Sequence, residues 1–153
     1  RSYFVRPATN FTGVWINYFA NGQKCGEEHL LNGQRHGEHT TYYPDGQKSS
    51  VWHYDNGKLN GMRASYFTDG QIQGQDFYSN QMRVGESVRF YTNGSPLWRE
   101  NFINGQRNGP VNIYFPSGKI KTSILYTNGE KVGFEITYNE DGTTNSFVVH
   151  SHK

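Results

Sequence analysis

The sequence predicts an all-β protein, an elongated, curved, single antiparallel meander of about twelve strands built from six 24-residue β-hairpin repeats. Three observations predict it. Glycine recurs at 13, 37, 61, 85, 109 and 133 without one insertion or deletion. A second glycine follows nine residues after each, at 22, 46, 70, 94, 118 and 142, behind Asn21, Asp45, Asp69, Asn93, Ser117 and Asp141. The composition is 16% aromatic with 18 glycines and only 33% apolar residues, which favours thin β structure over a thick aliphatic interior. A repeat of 20–50 residues signals a stacked array in which each unit buries its face against its neighbours.

Each repeat carries two turn signals and therefore two strands. The first is the Asx-Gly step above, preceded by Tyr18, Tyr42, Tyr66, Phe90, Tyr114 and Tyr138. The second is Asn32-Gly33, Asn56-Gly57, Asn104-Gly105 and Asn128-Gly129, with Asn80-Gln81 as a weakened copy. Asn-Gly and Asp-Gly favour two-residue type I′ hairpins, since both central residues need positive φ. Half a period holds such a turn and about ten strand residues, and nothing between the turns shows helical periodicity.

This geometry predicts a register. The turn at 21–22 sets Trp15 opposite Glu28, and that at 45–46 sets His39 opposite Trp52. The turn at 93–94 sets Arg89 opposite Trp98. The turn at 117–118 pairs Val111 with Ile124 and Phe115 with Ile120. The repeat-opening glycines fall within strands, where glycine weakens pairing. Leu30, Tyr54, Tyr78, Phe102 and Tyr126 hold one repeat position and are expected to lay their side chains over bare glycine backbone. In domain terms, residues 1–12 read as an N-terminal cap and 13–153 as the six-repeat array.

The unit, written G-x-x-x-x-Y-[FY]-x-[ND]-G-x(7)-Y-x-N-G, resembles the MORN repeat (membrane occupation and recognition nexus) in its bacterial variant. "GEHTTYYPDGQKSSVWHYDNGKLN" at 37–60 is the clearest copy, and "GPVNIYFPSGKIKTSILYTNGEKV" at 109–132 is close to it. The pattern runs from Gly13 to about Val149 and departs from the motif at Leu30, Gln81 and the last unit. The resemblance implies a binding role of one of two kinds. Bacterial variants are associated with immunity or antitoxin proteins that neutralise a toxin by binding it. Other arrays are associated with phospholipid headgroups and scaffolding.

Binding residues in an array are those that break its rule. On one expected face the units differ sharply, in a zone that also holds Glu28 and Asp76. There Trp15, His39, Trp52, Arg63, Arg89, Trp98 and Glu100 form the candidate partner-binding set, against the simpler reading as a solvated sheet face with a few covering aromatics. Trp and Arg are enriched at interface hot spots. Arg35, Arg83, Arg107 and Lys131 recur beside the second turn and form a basic row. That row is a candidate contact for an anionic membrane surface or an acidic partner, against the simpler reading as solubilising charge at strand ends.

The formal charge of +2 gives no case for nucleic acid. Cys25 is the single cysteine, so no internal disulfide can form. No apolar run approaches the length of a membrane helix. His29, His36, His39 and His53 cluster early, but no spacing among them builds a metal site, and "HSHK" at 150–153 is a weak one. No nucleophile elbow, HExxH or phosphate loop is present, so neither enzyme nor cofactor is expected. The partner expected is a cognate toxin or secreted effector. The chain begins at Arg1 and not at Met, which fits either removal of a signal peptide or an arbitrary boundary; the first implies the bacterial periplasm, with the cytoplasm as the alternative.

Overall fold

A computed structural model of the protein describes residues 7–151. Its strands pack in two units. One runs to Ile72 and includes Tyr78–Gln81, the other comprises Gln73–Phe77 and the chain from Met82 onward. The first unit carries β1 (Gly13–Tyr18), β2 (Lys24–Leu31), β3 (Gln34–Tyr42), β4 (Lys48–Asp55) and β5 (Lys58–Tyr66). The boundary runs through β6 (Ile72–Ser79). Beyond it come β7 (Met82–Arg83), β8 (Gly85–Phe90), β9 (Pro96–Ile103), β10 (Gln106–Arg107) and β11 (Gly109–Tyr114). The last are β12 (Ile120–Thr127), β13 (Glu130–Tyr138) and β14 (Thr144–His150). All fourteen lie in one open antiparallel meander, following one another in chain order, with β7 on β6 and β10 on β9 as side pieces.

The count exceeds twelve because two long strands are each interrupted before a repeat-opening glycine. β7 and β8, and likewise β10 and β11, are two parts of one predicted strand. The same interruption appears as a register jump elsewhere. Trp52 pairs with Arg63 but Tyr54 with Leu59, and Ile124 pairs with Glu135 but Leu125 with Val132. Extra residues bulge out on the strand that holds the glycine.

The two turn signals are physically different. At the second, Asn and Gly both have positive φ, 45° and 78° at Asn56-Gly57, as the type I′ hairpin requires. The first turn corrects the expectation. Asp45 is not left-handed, and only Gly46 is, at φ 90°. The Gly46 N–H donates to the Tyr43 carbonyl at 2.9 Å, and the Tyr43 N–H to the Gln47 carbonyl at 2.8 Å. This is a three-residue loop of Pro44, Asp45 and Gly46, closed by Asp45 Oδ1 accepting from the Gln47 N–H at 3.0 Å.

The expected register survives, because a bulge in each hairpin restores the offset that the longer loop introduces. Trp15 faces Glu28, His39 faces Trp52, Arg89 faces Trp98 and Val111 faces Ile124. Next to the turn it fails: Ile120 faces Tyr114, not Phe115, whose N–H donates to Lys119.

The covering of glycines by the Tyr54-type rings is also corrected. Those residues, expected diagonal to the next unit's glycine, pair directly with their own unit's, as Gly37–Tyr54 and Gly85–Phe102. The side chains nearest a Cβ built on Gly37 and Gly61, however, are His29 and His53, and nothing approaches one on Gly85 or Gly109. Positive φ, +89° at Gly37, is what these places share, while a ring lies close at only some of them, as Phe11 does at Gly13.

Within each unit the turns bond from repeat to repeat. The Gly57 N–H donates to the Arg35 carbonyl at 2.7 Å, and Gly129 to Arg107 at 2.8 Å. On the opposite edge the Tyr43 hydroxyl donates to the Tyr66 carbonyl at 2.7 Å, and Tyr91 to Tyr114 at 2.9 Å. The buried apolar set is small: Cys25, Leu30, Val51 and Ala64 in the first unit, and Val88, Phe102, Val111, Ile124 and Val132 in the second. Hydrogen-bonded turns and half-buried rings therefore carry much of what a thicker core would supply.

Candidate functional site

Alternation along a strand sends every second side chain to one face. In the first unit the register places Trp15 beside Glu28, Glu28 beside His39, His39 beside Trp52 and Trp52 beside Arg63. Five strands thus contribute one continuous row, and it holds all four candidate residues of this unit. The row is ordered internally. The Arg63 guanidinium lies 4.1 Å from the Trp52 ring centroid, and the Trp52 indole N–H donates to Ser50 Oγ at 2.9 Å. Trp15 packs edge-on against Phe11, centroids 5.6 Å apart.

In the second unit Arg89 stacks 5.8 Å from the Trp98 ring and donates to Asp76 Oδ2 at 2.7 Å. Asp76 is almost fully buried and also accepts from Ser87 Oγ at 2.6 Å. Burial pushes its carboxyl up, but the Arg89 and Ser87 hydrogen bonds outweigh that, so it sits below the usual carboxylate range. Glu100, also buried, accepts from Arg107 Nε at 2.6 Å, with Arg83 at 3.8 Å.

Each cation of the basic row has a carboxylate neighbour. Arg35 spans from Glu28, which accepts at 3.1 and 3.3 Å, to the Tyr54 ring at 5.3 Å. Arg83 and Arg107 lie over Phe102 at 5.2 and 6.0 Å, and Arg107 also over Tyr126 at 5.6 Å. Lys131 pairs with Glu135 at 2.7 Å, which also accepts from His150 at 2.9 Å. Arg35, Arg83 and Arg107 thus lie over rings beside carboxylates with their side chains 36–47% exposed, and Lys131, 39% exposed, pairs with Glu135.

A cavity of about 650 Å³ opens on the row of the first unit. Trp15, Glu28, Leu30, Arg35 and His39 line it together with the segment Pro7–Thr9. That segment is tied down by the Gly33 N–H donating to the Phe11 carbonyl at 2.7 Å, and the Asn32 N–H to Thr12 Oγ1 at 2.9 Å. His39 Nδ1 is buried, 3.7 Å from Glu28 Oε1, and makes no hydrogen bond among the described residues. Burial pushes the imidazole below its ordinary value, Arg35 adds to that, and Glu28 opposes both.

Sequence reasoning missed the Arg–ring–acid clusters. Their signal is present in the repeat: Arg35, Arg83 and Arg107 each precede their ring by nineteen residues, at Tyr54, Phe102 and Tyr126. Glu28, Asp76 and Glu100 each precede an arginine by seven. Lys131 has neither companion, with Ile124 and His150 at those places. His29 and His53 lie two strands apart on β2 and β4, and no group of three metal-ligating side chains occurs among the described residues. His152 and Lys153 of the terminal "HSHK" lie outside them. No described helix is long and apolar enough to cross a membrane.

No curated protein matches the chain. Two of its segments, residues 35–56 and 107–128, match the family model of the MORN repeat variant, and they begin three 24-residue periods apart, at the same point of the repeat. The chain is a β-hairpin repeat module in which two copies carry that family's pattern.

Proposed function

We propose that this chain is a protein-binding module of the immunity or antitoxin type, which neutralises a cognate bacterial toxin or secreted effector by sterically covering it, in the periplasm. The observation that carries the reading is the continuous Trp15–Glu28–His39–Trp52–Arg63 row. Large rings held by stacked cations and hydrogen bonds lose little side-chain freedom on binding, so most of their contact energy is retained in the complex. Catalysis has no comparable support, since the buried carboxylates are committed to arginines.

The phospholipid alternative rests on the basic row, and pairing of Arg35, Arg107 and Lys131 with carboxylates weakens the field it would present to a membrane.

The test is to identify the partner by affinity capture and mass spectrometry, then mix the purified proteins. A one-to-one complex in which the partner's activity is lost stoichiometrically is expected. Trp52→Ala lowers the affinity by about 1–3 kcal/mol, as truncation of an interface anchor does. A partner that stays fully active in the complex overturns the inhibitory reading. Binding to anionic vesicles that is lost on changing Arg35, Arg83, Arg107 and Lys131 together favours the membrane reading instead.

A further inference from the structure

We propose that the outer edge of β14 is a docking surface for a second copy of this chain, the two β14 strands pairing antiparallel about a two-fold axis at Val148. The proposal goes beyond the binding reading and does not depend on it.

The edge differs from the one at β1. Among the described residues β14 has a neighbouring strand, β13, on one side only. Six of its seven residues are exposed, against two of six in β1. At β1 the preceding segment takes the place of an earlier repeat: Phe11 packs on Trp15, and its carbonyl accepts from Gly33 as the Arg35 carbonyl accepts from Gly57. β14 is apolar on both faces. Val148 continues the row Val111–Ile124–Glu135, yet it is 52% exposed where Ile124 is 8% exposed. On the other face Phe147 and Val149, 64% and 61% exposed, stand beside Ile136 and Phe134, next to a shallow apolar hollow. No residue from Thr144 to Val149 is charged and none is proline, devices that elsewhere keep an edge strand from pairing.

A second copy of the same strand fits this edge. Two antiparallel copies are related by an axis normal to the sheet, which keeps every side chain on its own face and sets one residue opposite itself. With Val148 at the axis, Phe147 faces Val149 of the second copy and Val149 faces its Phe147. All three apolar residues then meet apolar residues, in the aromatic–β-branched pairs that cross-strand contact favours. An axis at Phe147 sets Val148 against Ser146 and Val149 against Asn145, and one at Val149 sets Val148 against His150. Charge does not oppose the match. Glu135, beside Val148, is bonded to Lys131 at 2.7 Å, and the two copies of Glu135 would stand three strand spacings apart, roughly 14 Å and beyond the screening length. The exposed parts of Phe134, Phe147, Val148 and Val149 offer roughly 400 Å² of apolar surface per copy. With the strand backbone included the pair buries about 1,000 Å², enough for a specific but weak interface that dissociates in the micromolar range.

The test is sedimentation equilibrium of the whole chain over roughly 5–500 μM, where mass action fills a dimer of that strength. A reversible monomer–dimer equilibrium is expected, with amide exchange in β14 slowing as the concentration rises. Val148→Lys and Val148→Glu, each checked for an unchanged melting profile, set like charges opposite each other at the axis and should each weaken self-association at least about tenfold. An equimolar mixture of the two should restore pairing, because opposite charges then meet. Val14→Lys, at an exposed position of β1, should change nothing. A monomer over the whole range overturns the proposal, and so does a dimer unaffected by either charged residue at 148 or a mixture that fails to pair. Growth beyond a dimer that Val14→Lys abolishes marks end-to-end joining of β14 to β1, which also overturns it. Where the variants fail to fold, β14 amide exchange in the unaltered protein decides: rates independent of concentration overturn the proposal.

Discussion

Gln81 occupies the second central position of a type I′ turn at φ 72°, where every other described copy has glycine. An L residue in the left-handed region costs roughly 1–2 kcal/mol. Replacing it by glycine returns that cost but adds about 0.4–1 kcal/mol of unfolded-state freedom. Gln81→Gly is therefore expected to stabilise the first unit by about 0.5–1 kcal/mol. At roughly 2–4 °C per kcal/mol for a chain of this size, the midpoint rises by about 1–4 °C. The mirror experiment is Gly57→Gln, at the matched position and φ 78°. Its nearest neighbour is the Gln34 side chain, 3.9 Å from an added Cβ, so the change is almost purely conformational and the loss should be of similar size. Urea unfolding followed by far-UV circular dichroism reads both. Hydrogen exchange of the Gln81 N–H, which donates to the Leu59 carbonyl at 2.8 Å, reads the turn itself. A Gln81→Gly protein no more stable than the original, or a Gly57→Gln protein without loss, would refute the claim that φ strain sets the residue at this place.

Asp76→Ala leaves the Arg89 guanidinium without its 2.7 Å partner and should cost about 3 kcal/mol, the lower end for breaking a buried pair because Arg89 remains 20% exposed. The double change Asp76→Leu with Arg89→Met should recover most of that loss in urea unfolding. The depressed Asp76 carboxyl contributes stability above its unfolded value of 3.8 that disappears as pH falls through the lower folded value, so Asp76→Asn should flatten the stability profile below about pH 4. His39 is also depressed, from 6.5, so the unfolded chain binds its proton first and stability declines as pH falls below about 6.5. His39→Phe should remove that slope while leaving the acid limb of Asp76. Gly33→Ala, whose Cβ would lie 1.9 Å from the Thr9 carbonyl oxygen at φ 77°, should cost roughly 2 kcal/mol or more. Gly94→Ala, with φ 82° and open space around it, should show the smaller conformational cost alone.

The fold was legible because each punctuating residue has a local reason to be where it is. Asn56-Gly57 requires a left-handed pair whatever surrounds it, and repetition at 24 residues turns one hairpin into an array. What stayed hidden was non-local. Asp45-Gly46 satisfies a type I′ turn and a three-residue loop equally well. The choice falls to the loop, in which Asp45 closes the turn on Gln47 and the neighbouring Tyr43 bonds across to Tyr66. The bulge before Gly37 or Gly61 likewise has no signature beyond the glycine, whose positive φ looks the same in sequence as a small residue beneath a ring.

The candidate face divides along the same line. Period-two alternation and the correct central register were enough to assemble Trp15, His39, Trp52 and Arg63 into one row, since direct cross-strand neighbours follow from turn position alone. The partners of the long cations stayed hidden because a guanidinium reaches well beyond its own strand. Arg35 starts beside the turn and ends between Glu28 and Tyr54, a destination set by the side chains it can bridge. A constant offset of seven residues back to an acid and nineteen forward to a ring is the mark of that bridge. Arg107 meets both conditions, with Glu100 and Tyr126, and Lys131 meets neither. The distinction also orders their effects: replacing Arg107 removes the 2.6 Å partner of a buried carboxylate, whereas Lys131 serves the more exposed Glu135, so the two positions of one sequence row should differ in stability by the burial of the acid each serves.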